Sequence, residues 1–294
     1  MSPSKLRIWI QAARPWTLGV AISPILMGTA IAHTESGIHW LAAVAALLGG
    51  TFIQIGTNLA NDYFDFRKGA DTSTRVGPQR VTQAGLIDPR MVRDAFLLCF
   101  GIAFLIGIYL VYLRGMPIVY IGLISLLLGV IYTGGPFPLA YNGLAELPAF
   151  LFFGPIACAT TNYVQTGVWS DIAIVAGTAA GFFSMALLSI NNLRDYEEDR
   201  KVGKNTLVAI FGRDFGFLEY TLSILAATLT PLALIFLAPD HAIIGITSLT
   251  VFMTILPIKK AKYFSEPVEL IPVLKMTSKL QAIFTVIFIT SWLV

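Results

Sequence analysis

The sequence predicts an all-α integral membrane protein, with nine transmembrane helices in a single domain that covers residues 1–294. Three observations support this fold class. Hydrophobic residues make up 56% of the chain and charged residues only 13%, and the mean hydropathy is +0.74, which is more apolar surface than a soluble core can bury. Long windows with almost no charge recur along the chain, and the positive charges are confined to alternate connections between these windows.

Each predicted helix is an apolar window that is long enough to cross a hydrocarbon layer of roughly 30 Å. Helices are expected because lipid offers the backbone no hydrogen-bond partners, and windows this long do not show the alternation of barrel strands. The nine windows are residues 16–33, 40–60, 93–113, 117–134, 147–165, 170–191, 217–238, 241–258 and 279–294.

The distribution of Lys and Arg predicts the orientation. All but one of the 20 Lys and Arg residues lie at the amino terminus or in the second-to-third, sixth-to-seventh and eighth-to-ninth connections, and Arg114 is the exception. Positive residues stay on the cytoplasmic side of a membrane. We therefore expect a multi-pass protein of the cell inner (plasma) membrane, with the amino terminus and the charged loops cytoplasmic and the carboxyl terminus outside. The first apolar stretch lacks a compact cleavage site, so we expect it to be retained.

Two of the cytoplasmic loops resemble each other. NLANDYFDFRKGADT follows helix two, and NNLRDYEEDRKVGKNT follows helix six, four helices later. This likeness indicates two four-helix halves, at about residues 14–134 and 146–258, with the ninth helix at about 279–294.

Each of these loops begins with an Asn and two Asp residues that share one helical face, because their spacing is i, i+4, i+7 in the first loop and i, i+4, i+8 in the second. They lie at the carboxyl-terminal ends of membrane helices, where the macrodipole already places partial negative charge, so cations are needed to compensate them. We call the two sets the first and the second acidic stripe. The first stripe is Asn58, Asp62 and Asp65, and the second stripe is Asn191, Asp195 and Asp199.

The stripes are interpreted as ligands for Mg²⁺, which favours carboxylate, water and phosphate oxygens and is usually shared with a substrate. Two stripes that face each other are able to clamp a diphosphate. The alternative is that both loops are hydrated segments whose mixed charges only anchor the helix ends. Under the first interpretation, the candidate donors to the phosphate oxygens are Lys68, Arg75, Arg80, Arg200 and Lys204.

Three segments carry a resemblance to a known family. They are NDYFDFRKGADT with VGPQRVTQAGLI after it, YTGGPFPLAYNGLAE at 132–146, and NNLRDYEEDRKVGKNTLVAIFGR at 191–213. With these segments the chain resembles the UbiA-type membrane prenyltransferases, and more closely their branch that acts on 1,4-dihydroxy-2-naphthoate in menaquinone biosynthesis. Together with the nine-span topology, the likeness covers nearly the whole chain.

The resemblance implies a ring of nine helices around a central cavity that the cytoplasmic loops cap. It also implies Mg²⁺-dependent transfer of a polyprenyl group from polyprenyl diphosphate to an aromatic ring, with the two acidic stripes matching the two Asp-rich motifs of the family. In the 1,4-dihydroxy-2-naphthoate branch, the transfer is accompanied by loss of the ring carboxylate and gives demethylmenaquinone.

This chemistry calls for a proton acceptor, and the histidines are predicted to lie on the wrong side for that role. His33, His39 and His241 fall in the first and seventh connections, which the charge distribution places outside. A carboxylate, a tyrosine, water or the released diphosphate must then accept the proton. We predict Asp65 and Asp71 as the catalytic carboxylates.

Other polar residues near the loops have two interpretations each. Tyr132 and Tyr141 flank the TGGPFP bend, where they either contact the aromatic substrate or the diphosphate, or only pack at the membrane interface. Arg14 either reaches an anion or extends to the membrane surface. Cys99 and Cys158 lie in separate apolar runs, and we expect both to be packing residues.

A secondary transporter is the main alternative from another class, because repeated halves are typical of transporters. Transporters usually keep ionisable residues near the bilayer midplane, whereas Asp94, Glu146 and Glu219 lie at predicted helix ends. A structural membrane protein has no need of two stripes.

Among enzymes, the DGxxAR element of CDP-alcohol phosphotransferases and the DDxxD motif of soluble-type prenyl synthases are absent. The nearest alternative is a sister UbiA-type enzyme that acts on 4-hydroxybenzoate or another aromatic acceptor. Neither nucleic acid nor a protein partner is indicated.

Overall fold

The structure is a computed structural model that describes residues 4–70, 76–77 and 79–294, and these residues fold into a helical bundle. Its 3₁₀ segments are Leu139–Tyr141, Pro239–Thr254 and Pro267–Glu269. Its α-helices are α1 Lys5–Ala13, α2 Pro15–Ser36, α3 Trp40–Arg67, α4 Pro89–Arg114, α5 Met116–Ile131, α6 Glu146–Phe152, α7 Pro155–Thr166, α8 Asp171–Arg194, α9 Tyr196–Lys201, α10 Leu207–Phe211, α11 Arg213–Leu237, α12 Ile255–Lys262 and α13 Leu270–Trp292.

Within the described ranges, 8 helical segments are long and apolar enough to cross a membrane. Helix α5 is also apolar but has only 16 residues, which span about 24 Å at roughly 1.5 Å per residue. The predicted class is therefore confirmed, and the protein is a multi-pass helical membrane protein. The count of nine crossings, the orientation and the division into two halves remain predictions. The 8 segments are α2, α3, α4, α6 with α7, α8, α11, Pro239–Lys262 and Pro267–Trp292.

Two predicted windows differ from the observed helices. Window 147–165 is divided into α6 and α7, because Gly154 is non-helical (φ −132°, ψ −113°) and Pro155 begins a new helix. The last helix, α13, begins well before its predicted start at residue 279. Lys275 and Lys279 lie within α13 at exposed positions, and their long side chains can extend toward polar surroundings without ending the helix.

The amino-terminal and carboxyl-terminal segments lie at opposite ends of the bundle. Gln11 Nε2 donates to the Gln79 carbonyl, 3.1 Å away, in the loop that follows the first acidic stripe. Trp292 Nε1 donates to the Thr34 hydroxyl, 3.0 Å away, at the other end of α2. We call the end with the first stripe the motif end and the other the distal end. The His241 ring stacks on Trp292 and so lies at the distal end, away from the stripe.

The bundle is packed tightly on one side and loosely on the other. In α8, 61% of the apolar stretch that is able to cross the membrane is buried inside the protein, whereas in α4 only 17% of that stretch is buried. Helices α8, α11 and α13 contribute most of the largest apolar cluster, so they form a solid core. Helix α4 lies at the periphery and presents most of its apolar surface to lipid.

Two glycines bring α8 close to the break between α6 and α7. A Cβ atom on Gly181 would lie 2.5 Å from the Phe150 carbonyl oxygen, and one on Gly177 would lie 2.7 Å from Pro155 Cα. Small residues at i and i+4 are a common device for close helix contact in membranes. They hold the divided helix against α8, with the start of α6 directed toward the motif end.

Candidate active site

The first acidic stripe occupies one buried face of the last turns of α3. Asn58, Asp62 and Asp65 are exposed by only 4%, 2% and 4%, so the predicted sharing of a face is confirmed. Helix α3 has 28 residues, more than the roughly 20 that a crossing requires, so these turns extend beyond the hydrocarbon. Buried polar groups need hydrogen-bond partners, and the three side chains have different ones.

Asn58 supports the bend between α1 and α2. Its Nδ2 donates to the Ala13 carbonyl at 3.0 Å and to the Thr17 hydroxyl at 2.9 Å. Between these acceptors, Arg14 has φ 52°, a left-handed conformation that is strained for a residue other than glycine. The Asn58 amide therefore helps to hold Arg14 at the site, where the guanidinium lies within electrostatic range of Tyr132.

Asp62 organises the loop that follows α3. Its Oδ2 accepts a hydrogen bond from the Val81 amide at 3.1 Å, and its Oδ1 accepts one from the Thr82 amide at 3.2 Å. These successive amides begin the turn formed by the VTQAGLI segment. The carboxylate thus satisfies two backbone donors, and a buried backbone N–H without a partner is costly. This contact shapes the loop over the stripe.

Asp65 is held by a cation and a phenol. Its Oδ2 accepts from Arg80 Nη2 at 3.1 Å, and its Oδ1 accepts from the Tyr141 hydroxyl at 2.9 Å. Both side chains of the ion pair are below 10% exposure, so the two charges are screened little by water. Arg80 was predicted to bind diphosphate, and the structure places it directly against the first stripe.

The second acidic stripe is not on one continuous helix, so the prediction of a single helical face is wrong. Helix α8 ends at Arg194, Asp195 is non-helical (φ −91°, ψ 6°), and Asp199 lies on the short helix α9. Asn191 donates to the Leu187 carbonyl of its own helix at 2.9 Å. The break redirects the chain, so the i+8 spacing no longer fixes the direction of the last side chain.

The carboxylates of the second stripe face cations that follow them closely in the chain. Arg194 Nε and Nη2 donate to the two oxygens of Asp195, both at 2.7 Å, and the Arg194 side chain is 2% exposed. Asp199 Oδ1 lies 3.5 Å from Lys204 Nζ. Sequence reasoning missed Arg194, although a basic residue beside the first Asp of the stripe was a visible signal. The bidentate geometry is the strong form of this interaction.

Tyr141 joins the two stripes. Its hydroxyl donates to Asp65 of the first stripe, and its carbonyl accepts from the Asn205 amide at 3.2 Å, one residue after Lys204. Lys68 Nζ lies 4.5 Å from the centre of the Tyr141 ring and Lys204 Nζ lies 5.7 Å from it, within cation–π range. The stripes therefore share the motif end, as predicted, and one aromatic residue lies between their cations.

The structure does not bring every predicted donor to the stripes. Arg200 is exposed, and its Nη1 donates to the Tyr196 hydroxyl at 2.9 Å on the outer side of α9. Asp71 and Arg75 lie outside the described residues, so no position is assigned to them. The predicted donors that do lie beside the stripes are Lys68, Arg80 and Lys204.

Lys68 is anchored at the edge of the site. Its Nζ donates to the Thr133 carbonyl at 2.6 Å, just after the end of α5. Partial removal from water lowers the pKa of Lys68, and the carboxylate of Asp65 opposes that effect. The ammonium therefore links the end of α3 to the TGGPFP bend.

An apolar cavity of about 520 Å³ lies among α2 to α7. It extends from Tyr132 and Leu139 near the motif end to Leu110 and Ile118 toward the distal end. Leu123, which also lines it, is 50% exposed, so the cavity opens sideways to the lipid-facing surface. The cavity that the resemblance implies is present, but it lies on the loosely packed side of the bundle rather than on its axis.

Tyr132 lies where this cavity meets the polar site. The Tyr132 side chain is partly buried, and the carboxylates of Glu146, Asp65 and Asp199 lie within electrostatic range of its phenol. The same phenol is therefore within electrostatic range of both stripes. Its predicted contact with substrate stays a prediction, and its position at the cavity mouth is compatible with that role.

Two buried glutamates were overlooked as site residues because they were interpreted as ordinary helix-end charges. Glu146 is 5% exposed, and its Oε1 accepts from Asn192 Nδ2 at 3.2 Å, one residue after Asn191 of the second stripe. Glu219 is 9% exposed and lies within electrostatic range of Glu146. The sequence signal for Glu146 is its place at the end of PLAYNGLAE, directly before an apolar run.

The residues of the two stripes fit Mg²⁺ by their chemistry. They offer carboxylate and amide oxygens, the hard ligands that this ion prefers, at a buried site where cations already balance the acids. Among the described residues, no three His, Cys, Asp or Glu side chains converge as a ready-made metal cage. Mg²⁺ usually takes several of its ligands from water and substrate phosphates.

Fold and site together define a multi-pass membrane protein in which two acidic stripes meet above a lipid-accessible apolar cavity. The chain belongs to the UbiA prenyltransferase family, whose model matches residues 21–267. The family resemblance found in the three sequence segments is therefore confirmed, and with it the assignment of the protein as a prenyltransferase.

Relatives and solved structures agree with this membership. The chain is 32% identical to the 1,4-dihydroxy-2-naphthoate octaprenyltransferase of Escherichia coli (strain K12), over 97% of this chain and 95% of that protein. It is 36% identical to the Mycobacterium tuberculosis protein of the same name, over 69% and 70%. A UbiA homolog from Archaeoglobus fulgidus, solved bound to DMAPP and Mg²⁺, has a TM-score of 0.68 at 15% identity, over 95% of this chain and 98% of that chain. At this identity the likeness shows the fold alone.

Proposed function

We propose that the protein transfers a polyprenyl group from polyprenyl diphosphate to 1,4-dihydroxy-2-naphthoate, with loss of the ring carboxylate, to give demethylmenaquinone. The relatives that carry the 1,4-dihydroxy-2-naphthoate octaprenyltransferase name support this acceptor, since one of them aligns over nearly the full length of both chains. The active-site loops are proposed to face the cytoplasm at the cell inner (plasma) membrane.

The observation that carries the proposal is the meeting of the two stripes at the mouth of the apolar cavity. A polyprenyl diphosphate is a dianionic or more highly charged head on a hydrocarbon tail, and this site offers cations and metal ligands above an apolar space that opens to lipid. A water-soluble substrate has no use for such a lateral opening. The head is expected between the stripes and the tail in the cavity.

The chain's own cations are proposed to bind the diphosphate and to stabilise its departure. The allylic carbon–oxygen bond breaks, its electron pair stays on the diphosphate, and the prenyl carbon forms a bond with the ring carbon that bears the carboxylate. The bond from that carbon to the carboxylate then breaks, CO₂ leaves, and the electron pair of the broken bond restores the aromatic ring. Fixed positive groups lower the barrier because charge develops on the leaving oxygen, and Lys68, Arg80 and Lys204 are the groups in place.

Mg²⁺ is the proposed cofactor, and both stripes are its proposed ligands. When bound, the ion supplies further positive charge to the diphosphate oxygens. Asn58 and Asp62 also shape the backbone around the stripe, while Arg194 positions Asp195. Asp65 keeps its predicted catalytic role as a proposal, in contact with Arg80 and Tyr141.

Purified protein in detergent, supplied with a polyprenyl diphosphate, 1,4-dihydroxy-2-naphthoate and Mg²⁺, is expected to form the prenylated quinol and release one CO₂ for each diphosphate. Chelation with EDTA should abolish product formation, and readdition of Mg²⁺ should restore it. Turnover that survives chelation contradicts the metal role. A parallel reaction with 4-hydroxybenzoate distinguishes the sister activity, because preferential prenylation of that acid contradicts the proposed acceptor.

Two substitutions on the same helix provide a matched test. Asp195→Ala is expected to reduce turnover by about a thousandfold, a loss of roughly 4 kcal/mol in stabilisation of the leaving group. Asp171→Ala removes an exposed carboxylate from the distal end of α8 and should leave turnover within about twofold. Because Asp195→Ala also removes the partner of Arg194, the folded fraction of each variant is measured by thermal unfolding in detergent. A loss of turnover no larger than the loss of folded protein would show that Asp195 acts only through the fold.

A further inference from the structure

Glu146 combines deep burial with a carboxylate oxygen that no described group satisfies. Its Oε1 accepts from Asn192, but no donor among the described residues reaches its Oε2, although the side chain is only 5% exposed. A buried acceptor without a donor is unfavourable. Such an atom is retained at low cost only where another molecule supplies the missing donor.

The surroundings of Glu146 strengthen its demand for a donor. Glu219 lies within electrostatic range, and its own Oε2 also lacks a donor among the described residues. Two buried carboxylates repel each other. Lys204 and the backbone amides at the start of α6 offset part of this repulsion. The result is a buried carboxyl group behind the second stripe with one oxygen that has no hydrogen-bond partner among the described residues.

Glu146 begins α6, a helix whose later residues border the cavity. Pro148 and Ala149 line the cavity, and Ala149 lies one helical turn after Glu146. Glu146 itself lies at the motif end of α6, where its Oε1 accepts from Asn192 of α8. Tyr132, which lines the cavity, lies within electrostatic range of the carboxylate. The Glu146 carboxylate thus lies between the cavity mouth at Tyr132 and Asn192 beside the second stripe.

We infer that Glu146 is the hydrogen-bond acceptor for a ring hydroxyl of the aromatic substrate, with Asn192 holding the carboxylate in position. This inference rests on the proposed function. A hydroxyl that donates to a carboxylate pushes electron density into its ring, which makes the neighbouring ring carbon a better nucleophile toward the prenyl carbon. The contact forms no covalent bond and transfers no electrons. It also selects hydroxylated aromatics, because a buried carboxylate rejects a ligand that cannot donate.

The test compares 1,4-dihydroxy-2-naphthoate with its two mono-O-methyl ethers, one methylated at each hydroxyl. The wild-type protein should bind one of the ethers at least about tenfold more weakly than the diol, because a charge-assisted hydrogen bond is lost. Glu146→Gln should weaken diol binding by a similar factor and reduce the preference for the diol over that ether to about threefold or less. Affinity for a non-hydrolysable prenyl thiodiphosphate should stay within about twofold of wild type.

The matched control is Glu35→Gln at the distal end. Like Glu146, Glu35 is a carboxylate that accepts side-chain hydrogen bonds, here from Asn162 at 2.7 Å and Ser170 at 2.7 Å. Unlike Glu146, it lies at the distal end of the bundle. This variant should keep the wild-type preference for the diol. Thermal unfolding in detergent identifies variants that have lost the fold, and the ether comparison on the wild-type protein needs no substitution.

Four outcomes decide the inference. Equal discrimination against the ethers in the wild type and in Glu146→Gln overturns it while leaving the proposed reaction intact. Equal binding of the diol and both ethers by the wild type overturns it as well. If only 4-hydroxybenzoate is prenylated, the proposed acceptor is wrong. The preference for 4-hydroxybenzoate over 4-methoxybenzoate is then compared between the wild type and Glu146→Gln, and an equal preference overturns the inference. If no aromatic is prenylated, calorimetric binding of the diol still decides, because an affinity unchanged by Glu146→Gln contradicts the contact.

Discussion

The two acidic stripes resemble each other in sequence but are built in different ways. The first lies on one continuous helix, and its Asp62 accepts hydrogen bonds from two backbone amides of the following loop. The second is divided by the end of α8, and its Asp195 is paired with the buried guanidinium of Arg194. Asp62 of the first stripe therefore organises a loop, whereas Asp195 of the second neutralises a buried cation.

The difference shows that a shared ligand pattern does not imply shared energetics. Removing the Asp62 carboxylate leaves neutral N–H groups without a partner. Removing the Asp195 carboxylate leaves the Arg194 guanidinium buried without this partner, which costs more. Substitutions in the two stripes should therefore differ in stability and in the region that becomes mobile, even where both abolish activity.

The largest effect is expected at the buried ion pair. Asp195→Ala should lower the free energy of unfolding by about 3–5 kcal/mol, because it leaves Arg194 charged in a site that is 2% exposed. The measurement is thermal or denaturant unfolding in detergent. Replacing both partners, as in Arg194→Met with Asp195→Ala, should recover much of the loss. A double variant that is less stable than the single one would show that other contacts dominate.

A smaller loss is expected at the loop organiser. Asp62→Ala should cost about 1–3 kcal/mol for the buried donors it leaves unsatisfied. Hydrogen exchange should accelerate at the Val81 and Thr82 amides, which donate to this carboxylate. The same amides should exchange at the wild-type rate in Asp195→Ala under conditions where both variants remain folded. Faster exchange there in both variants would mean that the stripes do not act separately.

The link between the stripes should have a moderate effect. Tyr141→Phe removes the hydrogen bond to Asp65 but keeps the ring that lies beside Lys68 and Lys204. One hydrogen bond to a charged group contributes about 1.5–3 kcal/mol, so turnover should fall by roughly 10- to 150-fold. Tyr141→Leu should lose more because it also removes the cation–π contacts. If the two variants lose the same activity, the ring contacts have no role.

The smallest effect is expected at Arg200, although the sequence placed it among the diphosphate donors. Its guanidinium is exposed and contacts Tyr196 on the outer side of α9. Arg200→Ala should change turnover and the affinity for prenyl diphosphate by about twofold or less. Lys201→Ala, at the exposed position next to it, is the matched control. A tenfold loss confined to Arg200→Ala would restore Arg200 to the second stripe's binding surface.

Much of the fold could be predicted because membrane insertion leaves a strong signal in the sequence. Long uncharged windows identified the crossing segments, and the loop charges grouped both stripes at one end. Prediction failed where a helix changes course without a change in hydropathy. Gly154 and Pro155 divide an apolar window, and Lys275 and Lys279 remain within a helix that was expected to begin later.

The site was predicted less completely, because spacing identifies a helical face only while the helix continues. Asn58, Asp62 and Asp65 share a face since α3 is unbroken there. The same reasoning failed at Asp195, where the helix ends. Hydropathy shows only that Glu146 begins an apolar run, so it does not indicate a site residue. The burial of the Glu146 side chain depends on packing against helices that are distant in the sequence.

The sequence by itself determined the class of protein, the family and the residues of the two acidic stripes, because these depend on composition and local spacing. Only the tertiary structure decided that Arg194 pairs with Asp195, that Tyr141 lies between the stripes, and that the buried Glu146 contacts Asn192 beside the second stripe. Those relations join side chains from different helices. The packing of the helices sets the distances between these side chains, and the periodicity of a single segment does not encode that packing.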